Sequence, residues 1–234
     1  MKERAIISFL WPKNRHVLQN YLLDRPSSVL TLAGSASVEF RQVLAATVKA
    51  KVYALEGLLS DAQRAQAQNI AQQMAGAHQQ YLASPVWQNF CEQRGLQADR
   101  FGGLVGSHLA ERLYDQIFLV EALETAYERF DIELVVLSED LTLHSRTLVE
   151  WAASKGIPSL HLIHGAALMN PYTVHKALNA DVLAVFGARG GQAYMDQGVP
   201  AERIRLTGNP AWDVYPAGLL GKRDELRSGM AAKY

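Results

Sequence analysis

The chain has 234 residues, of which 49% are hydrophobic, and its 23 basic and 23 acidic residues give a formal net charge of zero. That length suffices for one large domain. The lack of excess basic charge argues against nucleic acid as a partner, because binding to phosphate backbones needs a basic surface. Cys91 is the only cysteine, which excludes a disulfide within the chain and a thiolate metal cluster and favours a reducing, cytoplasmic compartment.

The first 55 residues predict an alternation of strands and helices. Apolar runs typical of buried strands occur at residues 5–10, 29–33 and 51–55. Helical spacing occurs at residues 17–23 and 38–49. The loop at 34–37 could bind a phosphate on its backbone N–H groups or form an ordinary turn, and no complete glycine-rich fingerprint is present. The first apolar run is too short to span a membrane, which leaves peripheral contact with the inner face of the plasma membrane open.

Residues 61–129 predict an all-helical insertion. Residues 61–82 are rich in Ala and Gln, which is typical of one long helix. A second helix is expected to begin at Pro85 and to end before Gly95. Gly102-Gly103 is expected to break the chain before a third helix with an apolar stripe over 107–129. The insertion could shape a substrate cleft or support packing.

From residue 134 onward, four apolar runs each end abruptly in polar or glycine residues. The runs are 134–137, 159–163, 182–186 and 204–206. Helical patterns over 143–155 and 190–197, or loops, separate them. This alternation predicts an α/β fold, a Rossmann-like open parallel sheet with helices on both faces. Ligands bind outside the carboxyl ends of the strands in such sheets, so the polar clusters mark the expected site.

One ordered set of motifs occupies roughly the last hundred residues. It comprises Lys155-Gly156-Ile157-Pro158, His164-Gly165, Ala180-Asp181 before a strand ending in Phe186-Gly187, Gly198-Val199-Pro200 with Arg203-Ile204, and Thr207-Gly208-Asn209-Pro210-Ala211-Trp212-Asp213. The set resembles the acceptor-side half of GT-B-fold glycosyltransferases that build bacterial surface polysaccharides. Capsule and lipopolysaccharide glycosyltransferases, CDP-glycerol glycerophosphotransferases and, more distantly, UDP-N-acetylglucosamine 2-epimerases share versions of it.

The resemblance implies a domain organisation and partners. Residues 1–215 would form the acceptor-side Rossmann-like domain, and residues 216–234 would begin an interdomain linker. In the family a second Rossmann-like domain follows and holds the nucleotide-sugar donor. The sequence lacks it, which predicts the N-terminal part of a longer enzyme or a chain that pairs with a separately encoded second half. The implied acceptor is a glycan or lipid-linked glycan, and no cofactor is implied.

Three residues could supply catalytic chemistry. His164 follows a predicted strand, and the freedom of Gly165 permits a sharp turn and the close approach of a ligand. Its imidazole could take a proton from an acceptor hydroxyl, and the resembling glycerophosphotransferases have a proposed base there; the alternative is a structural histidine. Glu139 and Asp140 could orient His164, hold a hydroxyl or act as base or nucleophile; the alternative is capping of the next helix. His161 lies inside a predicted strand and is expected in the core.

Further residues are candidates for binding substrate. Arg146 could bind an acidic sugar or a phosphate, or form a surface salt bridge. Gly187, Arg189 and Gly190 belong to a loop that opens a helix, where a phosphate could sit on the amides or the glycines could serve close packing. Asn209 could bind substrate or fix the turn into the linker. The sequence shows no metal-ligand spacing.

Three functional hypotheses follow. The first is a glycosyltransferase domain that binds the acceptor and supplies the base for transfer of a sugar from a nucleotide-sugar donor to a hydroxyl of a growing surface glycan. The second is a sugar-nucleotide 2-epimerase of the same architecture, which would need a complete donor domain and a set of acids that the sequence does not show. The third is a non-catalytic glycan-binding or scaffold domain. His164 with its neighbouring acids favours an enzyme.

Overall fold

The computed structural model describes residues 2–11, 14–32, 50–163 and 178–209, together with positions 38, 42, 44 and 165. In this part of the chain seven strands form one sheet, and every neighbouring pair is parallel. The strands are β1 (Glu3–Phe9), β2 (Ser28–Thr31), β3 (Val52–Ala54), β4 (Phe130–Leu137), β5 (Ser159–Leu162), β6 (Val182–Val185) and β7 (Ile204–Leu206). The helices are α1 (Arg15–Asp24), α2 (Asp61–Leu82), α3 (Pro85–Glu92), α4 (Ala98–Arg129), α5 (Leu143–Ser154) and α6 (Ala188–Met195).

Side chains of the central strands alternate between two hydrophobic cores, one on each face of the sheet. On β1, Ala5 and Ile7 join the core that α4 and α5 cover, whereas Ile6 joins the core that contains Leu18 and Leu22 of α1. This alternation follows from the period of two along a strand. It explains why these strands are apolar throughout, and it confirms the predicted α/β Rossmann-like parallel sheet with helices on both faces.

The strand order reverses its direction between β1 and β4. The order across the sheet is β3-β2-β1-β4-β5-β6-β7, so the chain first builds one half of the sheet outward from β1 and then returns to build the other half from β4. Because all the strands are parallel, their carboxyl ends meet at one edge. In sheets of this topology ligands usually bind in a crevice at the carboxyl edge, at the point where the order reverses, which here lies between the ends of β1 and β4.

The insertion between β3 and β4 is helical, as predicted over residues 61–129. The helix α2 has the predicted bounds, and a capping box holds its start: the Ser60 hydroxyl accepts the Gln63 N–H, and the Gln63 side chain accepts the Ser60 N–H. The helix α3 begins with Pro85 at its first position. Gly95 has φ of +64°, which is the left-handed conformation expected just past a helix end.

The predicted break at Gly102-Gly103 is wrong, because α4 runs through both glycines. A Cβ at Gly102 would lie 3.3 Å from Nε1 of Trp87 and 3.5 Å from Cδ2 of Leu82. The Trp87 ring also stacks on Phe101 at 5.7 Å between ring centroids. Gly102 therefore permits the indole to approach the helix, and this packing outweighs the low helix propensity of glycine, which costs about 1 kcal/mol.

Other boundaries differ by a few residues. The strand β4 begins at Phe130, directly after α4, whereas the continuous apolar run predicted a start at residue 134. Phe130 and Ile132 are buried while Asp131 between them is exposed, so this part of the strand has one covered face and alternates in polarity. The predicted loop at 34–37 lies outside the described residues. Of the helix predicted at 38–49, positions 38, 42 and 44 are described, and all three are helical.

We expect Gly102→Leu to lower the free energy of unfolding by about 1–3 kcal/mol, because the new side chain would collide with Trp87 and Leu82. Gly103→Leu is the matched control: Gly103 is exposed, and a Cβ there meets nothing within 4 Å. The control should be neutral or slightly stabilising, since leucine is the better helix former. Urea unfolding of the two variants measures the difference, and equal effects would contradict the packing role of Gly102.

Candidate functional site at the carboxyl edge of the sheet

Ser138 joins the two strands that border the crevice. It follows β4 and is fully buried, and its hydroxyl accepts the backbone N–H of Trp11 at 3.0 Å and the side-chain amide of Asn14 at 2.9 Å. Trp11 and Asn14 belong to the connection between β1 and α1. The hydroxyl therefore fixes the start of α1 against the end of β4, and it sets the floor of the crevice on that side.

Glu139 stands at the edge of the sheet and is half-buried. Its Oε1 accepts the backbone N–H of Thr142 at 3.0 Å, and the Thr142 hydroxyl in turn accepts the N–H of Ser145 and caps α5. Among the residues that the structure describes, the second carboxylate oxygen of Glu139 has no hydrogen-bond partner. Glu139 therefore supports the turn into α5 and still presents one oxygen beside the crevice.

Asp140 is buried and is surrounded by hydrogen-bond donors. Its Oδ2 accepts the backbone N–H groups of Asn179 at 2.6 Å and of Ala180 at 3.2 Å. Its backbone carbonyl accepts the side-chain amide of Asn179 at 2.8 Å. Its Oδ1 lies 3.4 Å from Nδ1 of His161. The carboxylate thus lies beneath the edge and holds the stretch that leads into β6.

His161 of β5 is buried, as predicted, and its ring lies next to the end of β4. Its Nε2 lies 3.2 Å from the carbonyl oxygen of Ser138, and its side chain is 7% exposed. Tyr194 of α6 is also buried, and burial together with the charge of Asp140 raises the pKa of its hydroxyl to about 12. These groups make a polar layer between the sheet edge and the apolar core.

Arg203 belongs to one of the sequence motifs, but the sequence predicted no role for it. Its guanidinium donates to the carbonyl oxygens of four consecutive residues, 178–181. The carboxylate of Asp181 accepts the backbone N–H and the hydroxyl of Ser159, at 2.8 and 2.7 Å. The Ala180-Asp181 and Arg203-Ile204 motifs are therefore in contact in the fold. The sequence signal for this contact is that both motifs belong to the same ordered set.

The described part of the chain does not bring the remaining predicted site residues together. His164 lies outside the described residues, and Gly165 is half-buried. Arg146 is exposed on α5. The structure brings Glu139 and Asp140 together with His161, but it does not bring Arg146 to them through any hydrogen bond or ion pair among the described residues. Asn209 follows β7 and is half-buried.

The glycine loop after β6 opens α6 at the carboxyl edge. Gly187 precedes the helix and is half-buried, and a Cβ there would meet nothing within 4 Å, so the space beside its Cα is open. Gly191 is the glycine that close packing requires, since its Cβ would lie 3.1 Å from Cδ2 of Leu206. Arg189 is exposed in the first turn, next to Gly190. Close packing thus accounts for Gly191, whereas phosphate binding at Gly187 stays a prediction.

At the opposite edge, the amino ends of the strands line a pocket of about 310 Å³ whose charged groups are paired with each other. Lys51 pairs with Glu3, and Arg4 pairs with Glu133, which also accepts the Ser27 hydroxyl at 2.9 Å. Partial burial raises the pKa of Glu133, but the bonds from Arg4 and Ser27 outweigh it and hold the pKa below its ordinary value. These ion pairs and the hydrogen bond stabilise the amino edge of the sheet, and this structural role accounts for them.

Within the described residues, no three or more His, Cys, Asp or Glu side chains are grouped so that they could hold a metal ion. None of the described helices combines the length and the apolar character needed to cross a membrane.

No protein-family model and no curated protein matches the chain. Among solved structures, it is similar to the crystal structure of UDP-GlcNAc 2-epimerase from Neisseria meningitidis bound to UDP-GlcNAc, with 13% sequence identity and a TM-score of 0.49. The match covers 100% of this chain and 52% of the epimerase chain, so the chain spans about half the length of that enzyme. At this identity and score the similarity assigns no activity, and the fold described above is established by the sheet itself.

We expect Ser138→Ala to lower the free energy of unfolding by about 1–3 kcal/mol, because it removes a buried acceptor from the Trp11 N–H and the Asn14 amide. Ser154→Ala is the control, since Ser154 is exposed at the end of α5 and should change stability by no more than about 0.5 kcal/mol. Chemical denaturation measures both values. An effect of Ser138→Ala as small as that of the control would contradict the bridging role.

Glu133→Gln should lower the free energy of unfolding at pH 7 by about 0.5–1 kcal/mol, because both partners of the Arg4 pair are partly exposed. Since the pKa is lowered from 4.5, the carboxylate stabilises the fold above that pH and loses its contribution as pH falls through the folded-state pKa. The difference between the wild type and the variant should therefore shrink on acidification. Unfolding measured from pH 7 to pH 3 tests this, with the exposed acid Glu128→Gln as control; a difference that grew instead would contradict it.

Proposed function

We propose that the chain is the acceptor-side domain of a GT-B-type glycosyltransferase. It would bind a hydroxyl of a growing bacterial surface glycan, which receives a sugar from a nucleotide-sugar donor. The observation that carries the proposal is the reversal of strand order between β1 and β4, with the half-buried Glu139 at the carboxyl edge beside it, because such edges are the usual ligand sites of parallel sheets. The ordered motifs from Lys155 to Asp213 support it through their resemblance to that enzyme class.

The reaction needs a group that removes the proton from the acceptor hydroxyl as the new glycosidic bond forms. His164 is the first candidate. In the sequence it comes two residues after the end of β5 and immediately before Gly165. Glu139 is another candidate, because one of its carboxylate oxygens has no hydrogen-bond partner among the described residues. Asp140 is also a candidate by sequence, and its burial among backbone N–H groups favours a positioning role.

Donor binding is assigned to a second Rossmann-like domain outside residues 1–234. The loop around Gly187 and Gly190 would face that domain, since it lies at the carboxyl edge with open space beside the Cα of Gly187. Backbone N–H groups at the start of a helix favour a phosphate, and the exposed Arg189 adds a cation there. Arg146 and Asn209 are proposed contacts to an acidic acceptor and to the interdomain turn, and peripheral contact with a membrane belongs to the same proposal.

The proposal is tested by assaying the complete enzyme, including its donor-binding domain, with CMP-, CDP-, UDP- and GDP-linked sugars and a glycan acceptor. Transfer of the sugar to the acceptor, detected by mass spectrometry, is the expected result. Isomerisation of the nucleotide sugar without an acceptor would instead indicate the epimerase. Full turnover by residues 1–234 alone would contradict the assignment of donor binding to a second domain.

In that enzyme we expect His164→Ala to lower kcat by about 10²–10⁴-fold, the usual contribution of a general base, with little change in stability. Glu139→Gln should be measured beside it, with Glu150→Gln as a matched control because Glu150 is exposed on α5. If Glu139→Gln abolishes activity and His164→Ala does not, the carboxylate is the base. If neither changes kcat by more than a few-fold, the domain binds the acceptor and the chemistry lies elsewhere.

A further inference from the structure

Two ionisable side chains lie under the carboxyl edge and face each other. The side chain of Asp140 is 3% exposed and that of His161 is 7% exposed, and Oδ1 of the acid lies 3.4 Å from Nδ1 of the ring. A buried charge without a partner is costly. Two such groups persist in one place only when they neutralise each other and when their remaining polar atoms are also bonded.

The partners of each group indicate where the proton resides. Nε2 of His161 lies 3.2 Å from the Ser138 carbonyl oxygen, which can only accept, so Nε2 carries a hydrogen. Nδ1 faces a carboxylate oxygen, which also accepts. The other oxygen of Asp140 already accepts two backbone N–H groups. Both ring nitrogens therefore lie next to acceptor oxygens, with a hydrogen-bond contact at Nε2 and an ion-pair contact at Nδ1, which is the arrangement expected of an imidazolium.

The pair joins three places that are distant in sequence. Asp140 follows β4, His161 lies on β5, and Asn179 with Ala180 directly precedes β6. One carboxylate thus contacts both β5 and the stretch that directly precedes β6. Arg203 binds the carbonyls of the same stretch, so the stretch before β6 is held through its N–H groups by Asp140 and through its carbonyls by Arg203.

We propose that Asp140 and His161 form a buried carboxylate–imidazolium pair that positions the stretch before β6, residues 178–181. Asp140 and His161 are positioning residues in this proposal, and neither touches substrate. The proposal bears on catalysis only if the proposed function holds, because His164 lies in sequence between His161 and that stretch. The pair itself does not depend on any activity.

The protonation of His161 is tested by nitrogen NMR of the 234-residue chain with labelled histidine at pH 7. Both ring nitrogens should carry hydrogens in the wild-type protein. Asp140→Asn should convert the ring to a neutral tautomer, because the negative partner is lost. Asp181→Asn is the matched control: it removes a carboxylate from the same stretch, one that binds Ser159 and not His161, and should leave the ring doubly protonated. A neutral ring in the wild type overturns the proposal, and this measurement needs no variant to fold.

The positioning role is tested by hydrogen exchange of the Asn179 and Ala180 amides. In Asp140→Asn and in His161→Gln these amides should exchange at least about tenfold faster than in the wild type, because opening of the stretch becomes easier. Amides of the insertion helix α2, which packs against α4, should keep their exchange rates. Unchanged exchange at Asn179 and Ala180 in folded variants overturns the proposal.

The failure of this proposal and the failure of the proposed function give different results. In the complete enzyme, Asp140→Asn and His161→Gln should lower kcat more than they change KM, because a displaced base slows chemistry rather than binding. If the NMR and exchange results are as expected but no sugar is transferred, the proposed function fails and the pair stands. If sugar is transferred while the His161 ring is neutral, the pair fails and the function stands.

Discussion

The pairing of β1 with β4 is the contact on which the rest of the sheet depends. It places Glu3 beside Phe130 and Phe9 beside Leu137, and so it closes the chain around the whole helical insertion. The later parts of both strands, residues 5–9 and 134–137, are covered on both faces, which confines them to apolar side chains and Ser8. Polar groups are therefore displaced to the strand ends, and the reversal of strand order makes one of those ends a crevice.

Burial at that crevice imposes a second condition, because polar atoms removed from water must find partners inside the protein. Ser138 meets it by accepting from the loop after β1, and His161 meets it by bonding to the Ser138 carbonyl. Asp140 meets it with backbone N–H groups from the stretch before β6. The crevice floor is thus a set of mutually satisfied groups on β4, β5 and their connections. Such a network is costly to disturb at any one member.

The sequence predicted the sheet, its strands and the helical insertion because those features follow from periodicity and composition. The predicted break at Gly102 was wrong, because that glycine makes room for Trp87, and periodicity does not encode such a contact. The sequence also left Asp140 equally suited to catalysis and to capping. The decisive contact is with Asn179, which is distant in the chain, and only the β4–β5–β6 order brings it near. Site chemistry that depends on the pairing of distant segments is therefore the part that sequence leaves open.

Glu139 and Asp140 show how two consecutive acids come to differ. Both follow β4, but the turn into α5 leaves the first half-exposed and buries the second. The buried Asp140 accepts the backbone N–H of Asn179 with one carboxylate oxygen, and its other oxygen lies beside the His161 ring. The half-buried Glu139 uses one oxygen to hold the N–H of Thr142. A carboxylate whose partners are all parts of the fold gains nothing from a ligand, while one with an accessible oxygen can still bind one. Burial thus favours separate roles for the two acids at this edge, and Glu139 is the more accessible of the two.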